Sequence, residues 1–232
     1  MQPTDEPPCE QARVGVGGLK VPMSAEPGND EANGCLFPAD EIVKLFQKDF
    51  VERILKCDCK KCKTDRDYFG GGHHHPDHWI QYADRVVKHA TSLFALLAQL
   101  FHPMLIIGIL HKTGDEQLRH WSTFTKDWLE TKCWPELFKA NRKSAKLLLD
   151  EFEGLKHHFL MEKIDGTSRE YDRKVILPFT HKEKVGKGSE NGEQAQGNFG
   201  ILYKFEIPEY YREFKPPEIF KTPYYVSRNS DH

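Results

Sequence analysis

The residues best suited to chemistry crowd into one stretch, "CDCKKCKTDRDYFGGGHHHPDHW", from Cys57 to Trp79. Cys59 and Cys62 are separated by two residues, the spacer that lets neighbouring thiolates reach one tetrahedral zinc, and Cys57 adds a third sulfur. His73, His74, His75 and His78 offer a nitrogen for the fourth position. The pattern predicts a structural zinc on Cys57, Cys59, Cys62 and His74. A plainer reading of the same residues is three reduced thiols at a helix end followed by a solvated histidine loop. No acid–base partner is evident beside the cluster, so a catalytic zinc is not expected.

A second candidate is "KVGKGSENGEQAQGNFGILYKFEI", Lys184 to Ile207. Its polar, glycine-rich middle lacks apolar periodicity, and on composition it is a flexible loop between the strands "KVIL" and "ILYKFEI". The alternative is a phosphate-binding loop. In protein kinases two strands flank G-x-G-x-x-G-x-V, whose glycines let backbone amides approach the ATP phosphates. Here Val185 to Gly188 supplies the first half and Asn198 to Lys204 the second, with the ten residues Ser189 to Asn198 between Gly188 and Phe199 where the pattern has one.

The order "VILPFTHKEKVGKG…NFGILYKFEIPEYY", preceded by a helical region bearing "CDCKKC", resembles the protein-kinase-domain proteins of filamentous fungi, in which a helical region precedes the kinase small lobe. The resemblance covers residues 36 to 207 in layout. It implies that Gly186, Gly188 and Gly200 are phosphate-loop glycines, that Val185 and Leu202 pack on adenine, and that Lys221 in "EIFK" stands in for the lysine of the third strand. The departures are equally specific. There is no H-R-D-L-x-x-x-N for the catalytic base and no D-F-G for magnesium, and the chain after Gly186 is too short for a second lobe, so neither ATP binding nor transfer is expected. The implied function is a kinase-derived interaction or regulatory module with a protein partner. The alternatives are a zinc-stabilised helical binding domain, or a fragment of a longer active serine/threonine-type kinase.

The elements that must position these residues are mostly helical. In "PADEIVKLFQKDFVERILK" the apolar positions Val43, Phe46, Phe50 and Ile54 recur every three or four residues behind Pro38, Asp40 and Glu41, which predicts one amphipathic helix ending near Cys57. A second helical region starts near Pro76 and is expected to break at Pro103, whose ring removes an amide donor. A third covers Asp115 to Met161, with a fresh start at Pro135. The expected core is Phe46, Phe50, Ile54, Leu93, Leu97, Trp128 and Leu148. The run Leu93 to Leu110 has the length of a membrane span, but Gln99, His102, Pro103 and Gly108 interrupt it, favouring two core segments.

Residues 1–35, rich in Pro, Gly and acidic side chains and without a secretory apolar block, predict a disordered leader on an intracellular protein, cytoplasmic or nuclear. With that location the six cysteines are expected to be reduced or metal-bound. Thirty-three basic against 35 acidic residues give a net charge of −2, which offers no global attraction to nucleic acid or an anionic membrane. The predicted fold class is therefore mainly α. It comprises a helical domain with the Cys/His cluster over 36–165, then, over 166–232, a small β-hairpin resembling the start of a kinase small lobe and an irregular tail.

Overall fold

The computed structural model describes residues 6–22, 35–68, 76–160, 181–184, 201–206 and 224–228. The chain divides into two units, Met1–Val21 with Phe37–Leu160, and Pro22–Leu36 with Met161–His232. The described residues are mostly helical. The helices are α1 (Pro8–Gly18), α2 (Ala39–Leu45), α3 (Lys48–Leu55), α4 (Lys60–Asp67), α5 (Pro76–Arg85), α6 (Thr91–Gln99), α7 (Ile106–Lys112), α8 (Asp115–Arg119), α9 (Lys126–Trp128), α10 (Pro135–Ala140) and α11 (Arg142–Phe159). A π turn over Val86–Ala90 joins α5 to α6, and Thr91 Oγ1 donates to the Val86 and Val87 carbonyls that the wider turn leaves open.

Part of the expected disordered leader is instead a helix, α1 over Pro8–Gly18, while residues 1–5 and 23–34 lie outside the described residues. Pro8 opens α1, where its missing amide costs nothing, and Cys9, Ala12 and Val16 form a buried stripe at helical spacing that packs chiefly on α6. Gly15 lets α2 come close, since a Cβ there would stand 3.1 Å from Leu45 Cδ2.

The single helix expected to run to Cys57 is two helices. Phe46 ends α2 with φ −95° and ψ 61°. The turn sends its ring into the core, stacked on Phe50 at 6.0 Å and edge-on to Phe94 at 5.4 Å. The break also swings Val43 outward, 44% exposed, and leaves Phe50 half-buried. Ile54, Leu93, Leu97 and Leu148 are buried as expected, whereas Trp128 is half-buried and Trp134 takes the central place, its Nε1 donating to Leu105 O at 3.0 Å.

The run Leu93 to Leu110 breaks where expected. The Phe101 amide donates to Ala98 O and the His102 amide to Leu97 O, a paired helix stop that requires Phe101 to adopt φ 67°, and Pro103 then opens a 3-10 turn into α7. Phe101 occupies a conformation usually left to glycine. Its ring is held by the Arg13 guanidinium at 4.5 Å and the Lys61 ammonium at 5.8 Å, so this side chain links α1 and α4 to the turn. Among the described residues, no helix is long and apolar enough to cross a membrane.

In the third region α10 starts at Pro135 and α11 follows at once. Asn141 caps α11 through its side-chain oxygen, 3.1 Å from the Ser144 amide. Lys156, buried in α11, donates to Phe124 O at 2.8 Å, so its ammonium holds the 3-10 turn before α9.

After the short strands β1 (Val21–Pro22) and β2 (Cys35–Leu36) come β3 (His181–Lys184), β4 (Ile201–Glu206) and β5 (Tyr224–Arg228) of the second unit, which form an antiparallel sheet in the order β3-β4-β5. His181 pairs with Glu206 and Lys184 with Tyr203, so the described parts of the two segments expected to form a hairpin do pair. The tail expected to be irregular instead supplies β5, in register from Ile201 opposite Arg228 to Phe205 opposite Tyr224. Val185, Gly186, Gly188, Gly200 and Lys221 lie outside the described residues. Leu202 is in β4, opposite Ser227.

Candidate metal centre

Four sulfurs meet at the corner between α3 and α4. The Sγ atoms of Cys9, Cys57, Cys59 and Cys62 all lie within 4.8 Å of one another, with 3.6 Å between Cys9 and Cys59 and 3.7 Å between Cys57 and Cys9. Zinc–sulfur bonds of about 2.3 Å in a tetrahedron place the sulfurs about 3.8 Å apart. The two short contacts match that edge, and both are far too long for the ~2.05 Å of a disulfide.

Each ligand is placed by a local rule. Cys57 follows the end of α3, in the turn where the chain leaves the helix. Cys59, with φ −61° and ψ 154°, is the residue before α4, and its sulfur accepts the Cys62 amide at 3.4 Å. Cys62 lies in the first turn of α4, so two sulfurs sit at the positive end of a helix, where negative charge is favoured. Cys9 arrives from the first turn of α1, its burial fixed by the stripe it shares with Ala12 and Val16.

A polar shell holds this corner in shape. Arg66 folds back from α4, and its guanidinium donates to Leu55 O at 3.2 Å, to Cys57 O at 2.7 Å and to Asp58 Oδ1 at 3.2 Å. Asp65 is 3% exposed. His102 Nδ1 approaches its Oδ2 at 3.0 Å, and Lys61 Nζ lies 3.1 Å from His102 Nε2. Lys61 has only donors, so Nε2 accepts and Nδ1 donates to the buried carboxylate. The imidazole thereby links a buried negative charge to a positive one and ties α4 to the turn at His102.

The four thiols also perturb one another's ionisation. Burial pushes the Cys9 thiol up to about 12, reinforced by its contacts with Cys59 and Cys57. Burial likewise pushes Cys62 up, aided by the neighbouring sulfurs. Cys59 moves the other way. Its partial burial pushes the thiol up, but the Cys62 amide and the thiols of Cys62, Cys9 and Cys57 hold it below its ordinary value. Each thiol thus feels its neighbours' protons, and a divalent cation bound here would replace those protons with one charge at the centre.

The structure thus brings Cys57, Cys59 and Cys62 together as their spacing suggests, and the fourth sulfur is Cys9, 48 residues before Cys57. Sequence reasoning missed Cys9 because the leader's composition masked its helix. The available signal was Cys9, Ala12 and Val16 at helical spacing behind Pro8. His74 lies outside the described residues, and His78, in α5, is not in the four-sulfur group. No protein-family model, no curated protein and no solved structure matches the chain, so the resemblance to kinase-domain proteins gains no support from these comparisons.

Proposed function

We propose that the first unit is a zinc-stapled helical binding module, in which the metal fastens α1 to the α3–α4 corner. The observation that carries this reading is the convergence of four cysteine sulfurs, from two distant parts of the chain, at tetrahedral spacing. A zinc closed by four sulfurs keeps no open position for substrate, so its role is structural and the activity of the unit resides in its surfaces. One such surface is an open cleft of about 550 Å³ lined by Gln99, Leu100, Phe101, Glu151, Gly154 and Leu155. Phe101 is 38% exposed at its rim, and Leu147, one turn before Glu151 on α11, is 62% exposed. A protein partner suits such a surface better than a small polar substrate.

Metal analysis of the purified chain is expected to find about one zinc per molecule, and chelation is expected to lower its melting temperature by about 10 °C. Metal-free protein whose stability is unchanged by chelator would overturn the reading.

For the second unit we propose that the segment between β3 and β4 is kinase-derived and no longer supports phosphoryl transfer, a reading supported by the sequence likeness. Turnover of ATP by the full chain with magnesium, lost in the Gly186→Ala/Gly188→Ala variant, would refute it. Absence of turnover in both is the expected result.

A further inference from the structure

We propose that the four-sulfur centre is also a modification site for hydroperoxides, in which Cys59 is the sulfur oxidised and Cys9 the sulfur that resolves it as a disulfide, with release of the metal. The inference rests on the metal reading above and adds a chemistry to it. Cys9, Cys57 and Cys62 are buried, whereas Cys59 is partly exposed, so an oxidant arriving from solvent meets Cys59 first.

The geometry also selects the second sulfur. Cys9 Sγ stands 3.6 Å from Cys59 Sγ, and closing to the ~2.05 Å of a disulfide requires about 1.5 Å of movement. Both residues are at element ends. Cys9 is in the first turn of α1, and Cys59 is in extended backbone just before α4, so neither has to break the interior of a helix to move. Cys62 is more constrained, since its own amide is the donor to Cys59 Sγ.

The reaction balances with a hydroperoxide as the oxidant. The Cys59 thiolate attacks the terminal oxygen, an S–O bond forms as the O–O bond breaks, and the departing alkoxide or hydroxide takes a proton from water. The Cys9 thiolate then attacks the sulfenic sulfur, the S–S bond forms, the S–O bond breaks and hydroxide leaves. Two thiolate sulfurs have given up two electrons and the peroxide bond has taken them. Only Cys57 and Cys62 remain as sulfur ligands, too few to retain zinc in a closed site. Oxidation therefore exchanges one crosslink for another, and α1 stays tied to the corner by a covalent bond.

The test uses the full chain, loaded with zinc and counted for metal beforehand. Hydrogen peroxide is added while a chromogenic chelator reports free zinc, and disulfides are mapped by mass spectrometry of unreduced peptides. The expected result is one zinc released for each Cys9–Cys59 disulfide formed, with dithiothreitol and added zinc restoring the starting state. Zinc retained with all thiols intact would overturn the proposal while leaving the metal reading standing. Release accompanied by a different disulfide would overturn the assignment of Cys9. A chain that holds no zinc before peroxide is added would remove the metal reading and this proposal with it.

Discussion

The α4 corner and the α6–α7 pair show two ways of holding a helix in place. Helix α6 buries Thr91 and every residue from Leu93 to Ala98, and α7 buries Ile106 to Leu110. Removing that much apolar surface from water, at about 25 cal/mol per Å², is enough to fix both helices without any special bond. Helix α4, "KKCKTDRD", buries only Cys62 and Asp65. It has almost no apolar area to offer. What holds it is directional: the Arg66 bonds to the preceding loop, the Asp65–His102–Lys61 chain, and the sulfur cluster. A corner poor in hydrophobic burial gains most from a crosslink, and the four converging sulfurs offer the zinc site proposed for it.

The comparison breaks most visibly if α6 is attacked. Phe94→Ala leaves a cavity beside Phe46 and is expected to cost about 3–5 kcal/mol in urea unfolding, by the same amount with and without chelator. Trp134→Phe, which removes the donor to the Leu105 carbonyl and some volume, is expected to cost about 1–3 kcal/mol, again independently of metal. A chelator-dependent cost at either position would mean that the two regions are not stabilised separately.

The corner is expected to respond in the opposite manner. Arg66→Ala strips the donors from the Leu55 and Cys57 carbonyls and loosens the loop that presents Cys57. Zinc affinity in a chelator competition is expected to fall about 10–100-fold, with little change in the stability of the chelated protein.

Alkaline pH separates the regions further. Burial raises the Cys9 thiol from 9.0 to about 12, so protonated Cys9 contributes stability below about pH 9 that is lost as pH climbs towards 12. Zinc-bound Cys9 is already a thiolate and does not titrate there. The melting temperature of chelated protein is therefore expected to drop more steeply over that interval than that of the zinc-loaded form. Parallel curves would show that Cys9 is not a ligand.

The smallest effect expected is at Gly154 in α11, where an added Cβ meets nothing within 4 Å. Gly154→Ala is expected to stabilise the chain by about 0.5–1 kcal/mol through the helix alone, in both metal states, as read by thermal melting.

What was legible in the sequence follows the same division. Apolar periodicity announced the helical stretch that holds α2 and α3, and Pro103 and Pro135 announced a break and a fresh start in the later helical regions, because these features act through local spacing and backbone chemistry. Periodicity could not show that Phe46 leaves its helix, since that depends on the Phe50 and Phe94 rings it meets. Cys57, Cys59 and Cys62 were readable as a group because they are neighbours in sequence. Cys9 was not, because a ligand brought from 48 residues away is paired only by the tertiary packing of α1 on α6, and the glycines at 15, 17 and 18 dilute the helix that carries it. The strand at Tyr224–Arg228 escaped notice for a similar reason, since its partner is β4 and no turn signal adjoins both.

The central claim is that four cysteine sulfurs surround one zinc, and X-ray absorption at the zinc edge of the purified full chain measures that directly. Four sulfurs at about 2.3 Å are expected, with a drop to three in any zinc-retaining Cys9→Ser protein. A first shell of three sulfurs and one imidazole nitrogen in the unmodified chain would contradict the assignment of Cys9 and restore the histidine loop as the source of the fourth ligand.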